Sequence, residues 1–464
     1  MTCHVLRLAA PMLLIAISLG CADASPPGSG VPAEGPRTVT VERTEGLYRL
    51  HVDGEPFYVK GAGLERQPPG AGSIARLAAH GANALRTWRT EEAGRSGREI
   101  LDEAHEHGLM VLMGLEIGRE RPGQGVGIFD FDYDDPEAVA AQMERVRVEV
   151  LELKDHPALL GWGIGNELNL GATNPKVWDA VNDISRMIHE VDPHHVTTTM
   201  LAGIGPELVE QLRERAPDLD LISVQSYADI VNLPRYIRET GLERPYLVTE
   251  WGATGHWEVA TTPWGAPMEN TSSEKADLYL ARHEQAIAAD STLCLGSFVF
   301  LWGQKQERTP TWYGLFTDQG EKTEAVDVMH YIWTGAWPDN RAPRLEWATL
   351  DGRSAQDGIH LEAGGIYPVS AGASDPEGDP LTFRWLVMRE ATDLGHGGDQ
   401  ESVPETLEGL IQHADSAEAI LTAPGETGAY RLFVYVYDGR GSAGHANIPF
   451  YVDQAGMMVG DGGT

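Results

Sequence analysis

The chain has 464 residues, of which 42% are hydrophobic and 22% are charged, and its formal net charge is −34. This composition is typical of a globular protein and excludes a disordered or collagen-like chain. The negative charge argues against binding to nucleic acids or anionic membrane surfaces, because both are polyanions. The length exceeds one typical domain of about 100–200 residues, so we expect a large domain and a smaller one.

The N-terminus predicts export. Arg7 precedes an apolar stretch from Leu8 to Leu19, which has the length of a signal-peptide core and is too short to span a bilayer. We therefore interpret residues 1–20 as a signal peptide. Residues 21–37, rich in Pro, Gly, Ala and Ser, are interpreted as a flexible tether.

Two processing routes fit the end of this leader. Ser18-Leu19-Gly20-Cys21 resembles a bacterial lipoprotein box, in which Cys21 is the acylated residue, whereas Ala22-Asp23-Ala24 fits ordinary signal peptidase. The first route predicts a lipid anchor at Cys21. Both routes predict an extracytoplasmic protein: an outer-membrane lipoprotein, or a periplasmic or secreted protein.

The three cysteines predict no intramolecular disulfide. Cys3 is removed with the leader, Cys21 lies at the cleavage site, and Cys294 remains alone in an apolar run. A lone cysteine in such a run is typical of a small core residue rather than a nucleophile.

From Thr38 to Pro338 strands and helices alternate, after a strand pair over Val39–Val52. The predicted strands are Phe57–Gly61, Asn83–Trp88, Met110–Ile117, Leu159–Ile164, Val196–Leu201, Leu221–Val224, Tyr246–Thr249 and Gly296–Leu301. The predicted helices are Ser73–His80, Arg98–His107, Pro136–Lys154, Pro175–Val191, Pro206–Arg215, Leu233–Thr240, Glu274–Ala289 and Glu324–Trp333. Eight such units predict an α/β fold with parallel strands, a closed (β/α)8 TIM barrel over residues 38–338.

The short apolar strands separated by turn residues over residues 343–455 predict a small C-terminal β-sandwich. The predicted strands are Ile359–Glu362, Tyr367–Ala371, Leu381–Met388, Ala419–Thr422, Tyr430–Tyr437 and Ile448–Val452. Asp375-Pro-Glu-Gly-Asp379, followed by Leu-Thr-Phe-Arg-Trp385, resembles the PKD and cadherin-like modules of secreted bacterial enzymes. Asp375, Glu377 and Asp379 fit either structural calcium ligands or a solvated acidic turn.

Polar residues follow several barrel strands at the end where function gathers in this fold. Arg86 follows strand two, Asn166-Glu167 strand four, Tyr227 strand six and Glu250 strand seven. An ionisable group after a hydrophobic run costs free energy unless it is paired or functional. Two carboxylates facing one cleft are what glycoside hydrolysis requires, since one donates a proton and the other attacks carbon or activates water. A structural carboxylate paired to an Arg is the alternative.

Asn166-Glu167 after strand four and Thr249-Glu250-Trp251-Gly252 after strand seven resemble the retaining (β/α)8 glycoside hydrolases that include families 2 and 5. The resemblance covers roughly Phe57 to Trp337, and Val52–Gly61 is similar to the start of a family 2 barrel.

The resemblance implies roles for individual residues. Glu167 is the implied acid/base and Glu250 the implied nucleophile, while Asn166 binds the sugar 2-hydroxyl. Arg86 and Tyr227 contact the nucleophile, and Trp302 lines the first sugar subsite. A retaining mechanism further predicts a carboxyl separation of about 5–5.5 Å.

Further residues at the predicted barrel mouth are candidates for sugar binding. Glu116 follows strand three, and Phe129-Asp130-Phe131-Asp132-Tyr133 alternates aromatic and acidic residues. Four tryptophans in later loops offer further aromatic faces on which sugar rings can stack. They are Trp251, Trp257, Trp264 and Trp312. His194-His195 fits either a metal site or a solvated turn.

These observations predict an exported retaining glycoside hydrolase that acts on a β-linked oligo- or polysaccharide without a cofactor. Two alternatives remain open. A transglycosylase would use the same residues to pass the glycosyl unit to another sugar, and a non-catalytic carbohydrate-binding surface protein would retain the barrel without turnover.

Overall fold

The computed structural model describes residues 35–64, 73–92, 94–123 and 127–454. The predicted signal peptide, Cys21 and most of the predicted tether lie outside these residues. Within the described part of the chain, no helix is long and apolar enough to cross a bilayer.

A three-stranded antiparallel sheet precedes the barrel and contains β1 (Val39–Thr44), β2 (Leu47–Val52) and β3 (Glu55–Phe57). The turn between β2 and β3 places Asp53 and Gly54 at φ 53° and 83°, which suits the Asp-Gly pair of a tight hairpin. Apolar side chains of this sheet pack against residues at the N-terminal ends of the barrel strands. The sheet therefore covers the end of the barrel opposite the carboxyl ends of its strands.

The strands that follow form a closed parallel barrel, which confirms the predicted TIM barrel. Its eight strands are β4 (Val59–Leu64), β5 (Ala84–Arg86), β8 (Met110–Leu115), β9 (Leu159–Asn166), β10 (Val196–Ala202), β11 (Ile222–Gln225), β12 (Tyr246–Glu250) and β13 (Cys294–Trp302). A short separate hairpin, formed by β6 (Glu91–Glu92) and β7 (Arg95–Ser96), follows β5 in the chain. Around the barrel the order is β4-β5-β8-β9-β10-β11-β12-β13, and β13 pairs with β4 to close it.

Helices connect consecutive barrel strands, and several begin at residues whose side chains cap backbone N–H groups. The helices are α1 (Ile74–Ala79), α2 (Gly97–Glu106), α3 (Pro136–Leu153), α4 (Lys176–Val191), α5 (Pro206–Arg215), α6 (Leu233–Thr240), α7 (Ser272–Arg282) and α8 (Glu324–Thr334). Ser96 with Glu99 and Thr271 with Glu274 form reciprocal capping boxes at α2 and α7. The α-helical part of α7 is shorter than predicted, because a π-helical turn takes over at His283.

The C-terminal region is β-rich, as predicted. Its strands are β14 (Arg344–Leu350), β15 (Ile359–Glu362), β16 (Ile366–Ser374), β17 (Thr382–Arg389), β18 (Thr406–Leu407), β19 (Ile411–Gln412), β20 (Glu418–Thr422), β21 (Gly428–Tyr437) and β22 (Ala443–Asp453). They form two sheets, β14-β16-β20-β19 and β15-β22-β21-β17-β18, which contribute side chains to one shared hydrophobic core. The sequence analysis does not predict β14, the first strand of this region.

The acidic turn after β16 is held by its own hydrogen bonds. Asp375 Oδ1 accepts the backbone N–H groups of Glu377 at 3.0 Å and Asp379 at 2.9 Å, and Arg440 pairs with Asp379 at 2.9 Å. In the described ranges no group of three or more His, Cys, Asp or Glu side chains is arranged to hold a metal ion. The hydrogen bonds of Asp375 are those that the acidic-turn interpretation predicts.

A buried ion pair of the barrel domain is hydrogen-bonded to the C-terminal domain. Lys275 Nζ on α7 lies 2.5 Å from Glu269 Oε1 and 2.6 Å from the Thr311 carbonyl oxygen. Glu269 Oε2 accepts Nδ2 of Asn447, on β22, at 2.6 Å and the Thr309 hydroxyl at 2.5 Å. Because every partner is buried, the loop after β12 depends on a strand of the other domain.

Replacing Lys275 with methionine is expected to destabilise the protein by about 3–5 kcal/mol, because it leaves the Glu269 carboxylate buried without its cation. Urea unfolding followed by circular dichroism measures the shift in midpoint. Lys176→Met is the control, since Lys176 forms an exposed pair with Asp134 and its loss should change the free energy by less than about 1 kcal/mol. Equal midpoints for the two variants would contradict the assigned role of the buried pair.

Candidate active site

The carboxyl ends of the barrel strands bring Glu167 and Glu250 to the same mouth. Glu250 is the last residue of β12, and Glu167 directly follows β9. Glu167 has a φ of 52°, a conformation uncommon for a residue with a side chain, and its backbone N–H donates to the Met200 carbonyl oxygen at 2.9 Å. The backbone of β10 thus holds the start of the loop that carries Glu167.

Four donors surround the Glu250 carboxylate. Oε1 accepts Arg86 Nη1 at 3.2 Å, Trp88 Nε1 at 2.9 Å and Gln225 Nε2 at 3.0 Å. Oε2 accepts the Tyr227 hydroxyl at 2.9 Å. Glu250 is 5% exposed, and hydrogen bonds to a charged group are stronger than those between neutral groups. The surroundings therefore fix the side chain in one position as a carboxylate.

Asn166 is oriented by the same donors. Its Oδ1 accepts Arg86 Nη2 at 2.7 Å and Gln225 Nε2 at 2.8 Å. Because both contacts require the amide oxygen at this position, the Nδ2 group is the end that remains available as a donor. Asn166 therefore has a donor to offer a hydroxyl group in the cleft.

Glu167 has a different environment from Glu250. Burial, and then the negative charge of Glu250, raise the pKa of Glu167 to about 8, while the cations Arg119, Arg86 and Arg121 act in the opposite direction. The acid is therefore protonated at neutral pH. One cleft thus holds a carboxylate fixed by donors beside a carboxylic acid that can give up a proton.

The structure brings together Arg86, Asn166, Glu167, Tyr227 and Glu250, as the sequence predicts. The sequence analysis does not assign Trp88 or Gln225 to the site, although Trp88 ends the predicted second strand and Gln225 directly follows the predicted sixth strand. Their position at a strand end was the available signal.

Trp302 lies in the core, so the prediction that it lines a sugar subsite is wrong. Its fully buried ring packs against His80, Phe316 and Trp333, with centroid distances of 5.6, 5.0 and 5.8 Å. Across the β13–β4 pair, Val299 is opposite Ala62 while Trp302 is opposite Leu64. Three residues of β13 therefore pair with two residues of β4. Such a β-bulge changes the face of the sheet to which the following residues point.

Phe300 occupies the position at the mouth that had been assigned to Trp302. Its ring centroid lies 5.9 Å from those of both Trp88 and Tyr227, the two aromatic donors to Glu250.

Trp251 is also not a sugar-binding residue. It is fully buried against Tyr279 and His283, at centroid distances of 5.6 and 6.0 Å. Successive strand residues point to opposite faces, so an inward Glu250 requires an outward Trp251.

Of the other tryptophans proposed for the mouth, Trp257 is the one placed to meet a ligand. It is 59% exposed, and its ring centroid lies 5.4 Å from that of Tyr227. Trp312 is buried. Trp264 packs against Tyr451 of the C-terminal domain, at a centroid distance of 5.8 Å.

The acidic and aromatic candidates after strand three pack around two arginines. Glu116 Oε1 lies 3.7 Å from Arg119 Nη1, and the Phe129 ring lies 5.3 Å from the Arg119 guanidinium carbon and 5.2 Å from that of Arg121. Phe131 packs against Tyr133 at 4.7 Å. These residues build one wall beside the loop that carries Glu167.

Two other predictions have structural explanations. His195 Nδ1 is buried 2.9 Å from Asp192, which also accepts Trp162 Nε1 at 2.7 Å, so His195 is a buried partner of Asp192 rather than part of a solvated turn. Cys294 begins β13, far along the strand from the mouth, and burial raises the pKa of its thiol to about 12. A thiol with this pKa is a core residue rather than a nucleophile.

Replacing Trp88 with phenylalanine is expected to lower kcat/KM about 10- to 100-fold. The ring remains, but Glu250 loses one donor, and a hydrogen bond to a charged group contributes about 1.5–3 kcal/mol. Steady-state kinetics on a substrate that the wild type cleaves measures the effect. Trp347→Phe, on the exposed face of β14, is the matched control and should retain wild-type kinetics; an unaffected W88F variant would contradict the assigned role.

Comparison with protein families agrees with this geometry. Residues 73–259 match the family described as glycosyl hydrolases family 2, TIM barrel domain. The matched range contains both carboxylates and all the donors to Glu250, so the site lies within the region that is similar to this barrel domain. Comparison with curated proteins gave no match.

Solved structures share the fold at low sequence identity. A β-D-glucuronidase of Dictyoglomus thermophilum is similar with a TM-score of 0.50 and 19% identity, covering 65% of this chain and 54% of that one. A Bifidobacterium dentium β-glucuronidase has a TM-score of 0.49 and 18% identity, covering 65% of this chain and 50% of that one. This chain thus spans about half the length of these enzymes, and the likeness concerns the fold.

Proposed function

We propose that the protein is a retaining glycoside hydrolase acting on a β-linked glycan. The observation that supports this most directly is the unequal pair at the barrel mouth. Glu250 is surrounded by four donors, while burial and the charge of Glu250 keep Glu167 protonated. These are the two forms that the first step of double displacement requires.

In the first step, Glu250 attacks the anomeric carbon and forms a covalent ester with the sugar. The bond from this carbon to the leaving oxygen breaks, and Glu167 transfers its proton to that oxygen. The Asn166 Nδ2 group donates to a sugar hydroxyl, and the exposed Trp257 ring offers a face for a sugar.

In the second step, Glu167 acts as the base. Esterification removes the negative charge of Glu250, which is one of the two causes that raise the pKa of Glu167. Glu167 takes a proton from water, the oxygen attacks the anomeric carbon, and Glu250 leaves as a carboxylate. The reaction balances without a redox group or a metal ion.

The test is incubation with a panel of β-linked glucans, mannans and galactans, with anomeric protons followed by NMR. The first-formed product should be the β-anomer, which then mutarotates. A first-formed α-anomer would contradict the retaining mechanism, and the absence of products from the whole panel would contradict hydrolysis. Products longer than the substrate would indicate transglycosylation by the same residues.

We also propose that the protein is exported and anchored through an acylated Cys21. The leader over residues 1–20 and the Leu19-Gly20-Cys21 sequence support this. Mass spectrometry of the mature N-terminus should find diacylglycerol on Cys21, and a Cys21→Ser variant should leave the membrane fraction. A mature chain that begins after Ala24 would contradict the anchor and support ordinary signal peptidase.

A further inference from the structure

Residues 395–401, called the strap here, leave the C-terminal domain and reach the barrel mouth. They lie in the connection between β17 and β18, on the edge of the five-stranded sheet. Their contacts fall on two separate groups of barrel loops.

Gly397 and Asp399 of the strap contact the loops after β8 and β9. Asp399 forms a two-pronged pair with Arg121, with distances of 3.3 and 3.2 Å, and both side chains are almost fully buried. A Cβ on Gly397 would lie 2.8 Å from the Leu170 side chain and 2.9 Å from Arg121 Nη2. Leu170 donates its backbone N–H to the Glu167 carbonyl oxygen at 2.9 Å. The strap therefore packs directly on the loop that carries the proposed acid.

Gly398 and Glu401 of the strap contact the loop after β13. Lys305 Nζ donates to the Gly398 carbonyl oxygen at 2.7 Å, and Glu401 pairs with Arg308. The Lys305 ammonium lies 5.8 Å from the centroid of Phe300, whose ring packs against Tyr227. These contacts connect the strap to the donors around Glu250.

The barrel order shows what the strap crosses. In the barrel, β4 and β5 lie between β13 and β8. The strap is bound to the loops after β13 and after β8, and it therefore spans the barrel mouth beside β4 and β5. In a glycosidase the leaving group lies next to the acid that protonates it. A wall packed on the Glu167 loop therefore borders the leaving-group side of the cleft.

We propose that the strap forms a wall of the leaving-group subsite and binds the hydroxyl-bearing sugar that departs, with Asp399 acting as a positioning residue for Arg121. This inference rests on the proposed glycosidase function and adds that the C-terminal domain contributes to substrate selection.

The test compares two substrates that share the transferred sugar: a nitrophenyl β-glycoside and the β-linked oligosaccharide that the wild type cleaves. Gly397→Ala displaces the strap, because Gly397 has a φ of 59° and a crowded Cβ position, and Asp399→Asn weakens its anchor. Each variant should lower kcat/KM for the oligosaccharide about tenfold. The value for the nitrophenyl glycoside, whose leaving group extends less far, should change less than about twofold.

The pH profile supplies a second readout for Asp399. The charged groups that act on Glu167 are Glu250, Arg86, Arg119 and Arg121, and Asp399 partly neutralises Arg121. Asp399→Asn should therefore move the alkaline limb of kcat/KM to lower pH, because the freed positive charge favours ionised Glu167. An unchanged limb would mean that Asp399 does not act on Glu167 through Arg121.

Asp351→Asn, in an exposed turn of the C-terminal domain, is the matched control and should behave as the wild type. Equal losses on both substrates, or no loss on either, would overturn the strap proposal while leaving the hydrolase proposal intact. A folded wild type inactive on both substrates would instead overturn the proposed function, and the strap proposal with it. Should Gly397→Ala fail to fold, Asp399→Asn decides.

Discussion

Replacing Glu250 with alanine is expected to lower kcat by at least about four orders of magnitude, because no group remains to form the covalent intermediate. The donors that held the carboxylate, among them Arg86, Trp88 and Tyr227, remain around the vacated space. Substrate binding should survive, so the loss appears in kcat. Single-turnover kinetics on a nitrophenyl glycoside measures it.

A small anion gives a sharper outcome for the same variant. Azide fits the space left by the carboxylate, is attracted by the remaining donors, and should restore release of nitrophenolate with formation of an α-glycosyl azide. Glu239→Ala, which breaks an exposed pair with Arg235 on α6, is the control and should match the wild type. Residual activity of E250A near the wild-type value would show that Glu250 is not the nucleophile.

Replacing Glu167 with glutamine is expected to lower kcat/KM for an oligosaccharide by about 10²–10⁴-fold, the usual contribution of a general acid. A dinitrophenyl glycoside should lose much less in kcat/KM, because its leaving group departs without a proton. The alkaline limb of the wild-type profile, which reports the loss of the Glu167 proton at a pH near 8, should disappear in the variant. The sign follows from the raised pKa: activity is high below it and falls as the pH rises through it.

Glu210→Gln is the control for this experiment, since Glu210 forms an exposed pair with Arg213 on α5. An equal loss on both leaving groups would assign Glu167 a role in binding rather than in proton transfer. An alkaline limb that persists in E167Q would mean that a group other than Glu167 sets it.

The sequence was sufficient for the order of elements and for the main polar cluster. Apolar runs alternating with helical segments predict the barrel, and residues after strands two, four, six and seven must then meet at one end. Arg86, Asn166, Glu167, Tyr227 and Glu250 could be placed together on this argument alone, because parallel strands share the direction of their carboxyl ends.

The direction of individual side chains could not be read in the same way. A bulge near the end of β13 sends Trp302 into the core and leaves Phe300 at the mouth, and it depends on pairing with β4, which is distant in the chain. The sequence places Trp251 among the candidates for sugar binding at the mouth. Because Glu250 points inward, the alternation of strand side chains directs Trp251 outward. The strap was equally inaccessible, since Asp399 and Arg121 are separated by 278 positions.

The bond between Glu269 and Asn447 has a consequence for biosynthesis. Asn447 lies on β22, so a ribosome must deliver almost all of the described chain before Glu269, in the loop after β12, acquires this hydrogen-bonding partner. This contact between the two domains is therefore completed late in synthesis. A premature stop codon in the sandwich would remove this partner from the barrel, although Glu167, Glu250 and the donors around Glu250 had already been translated.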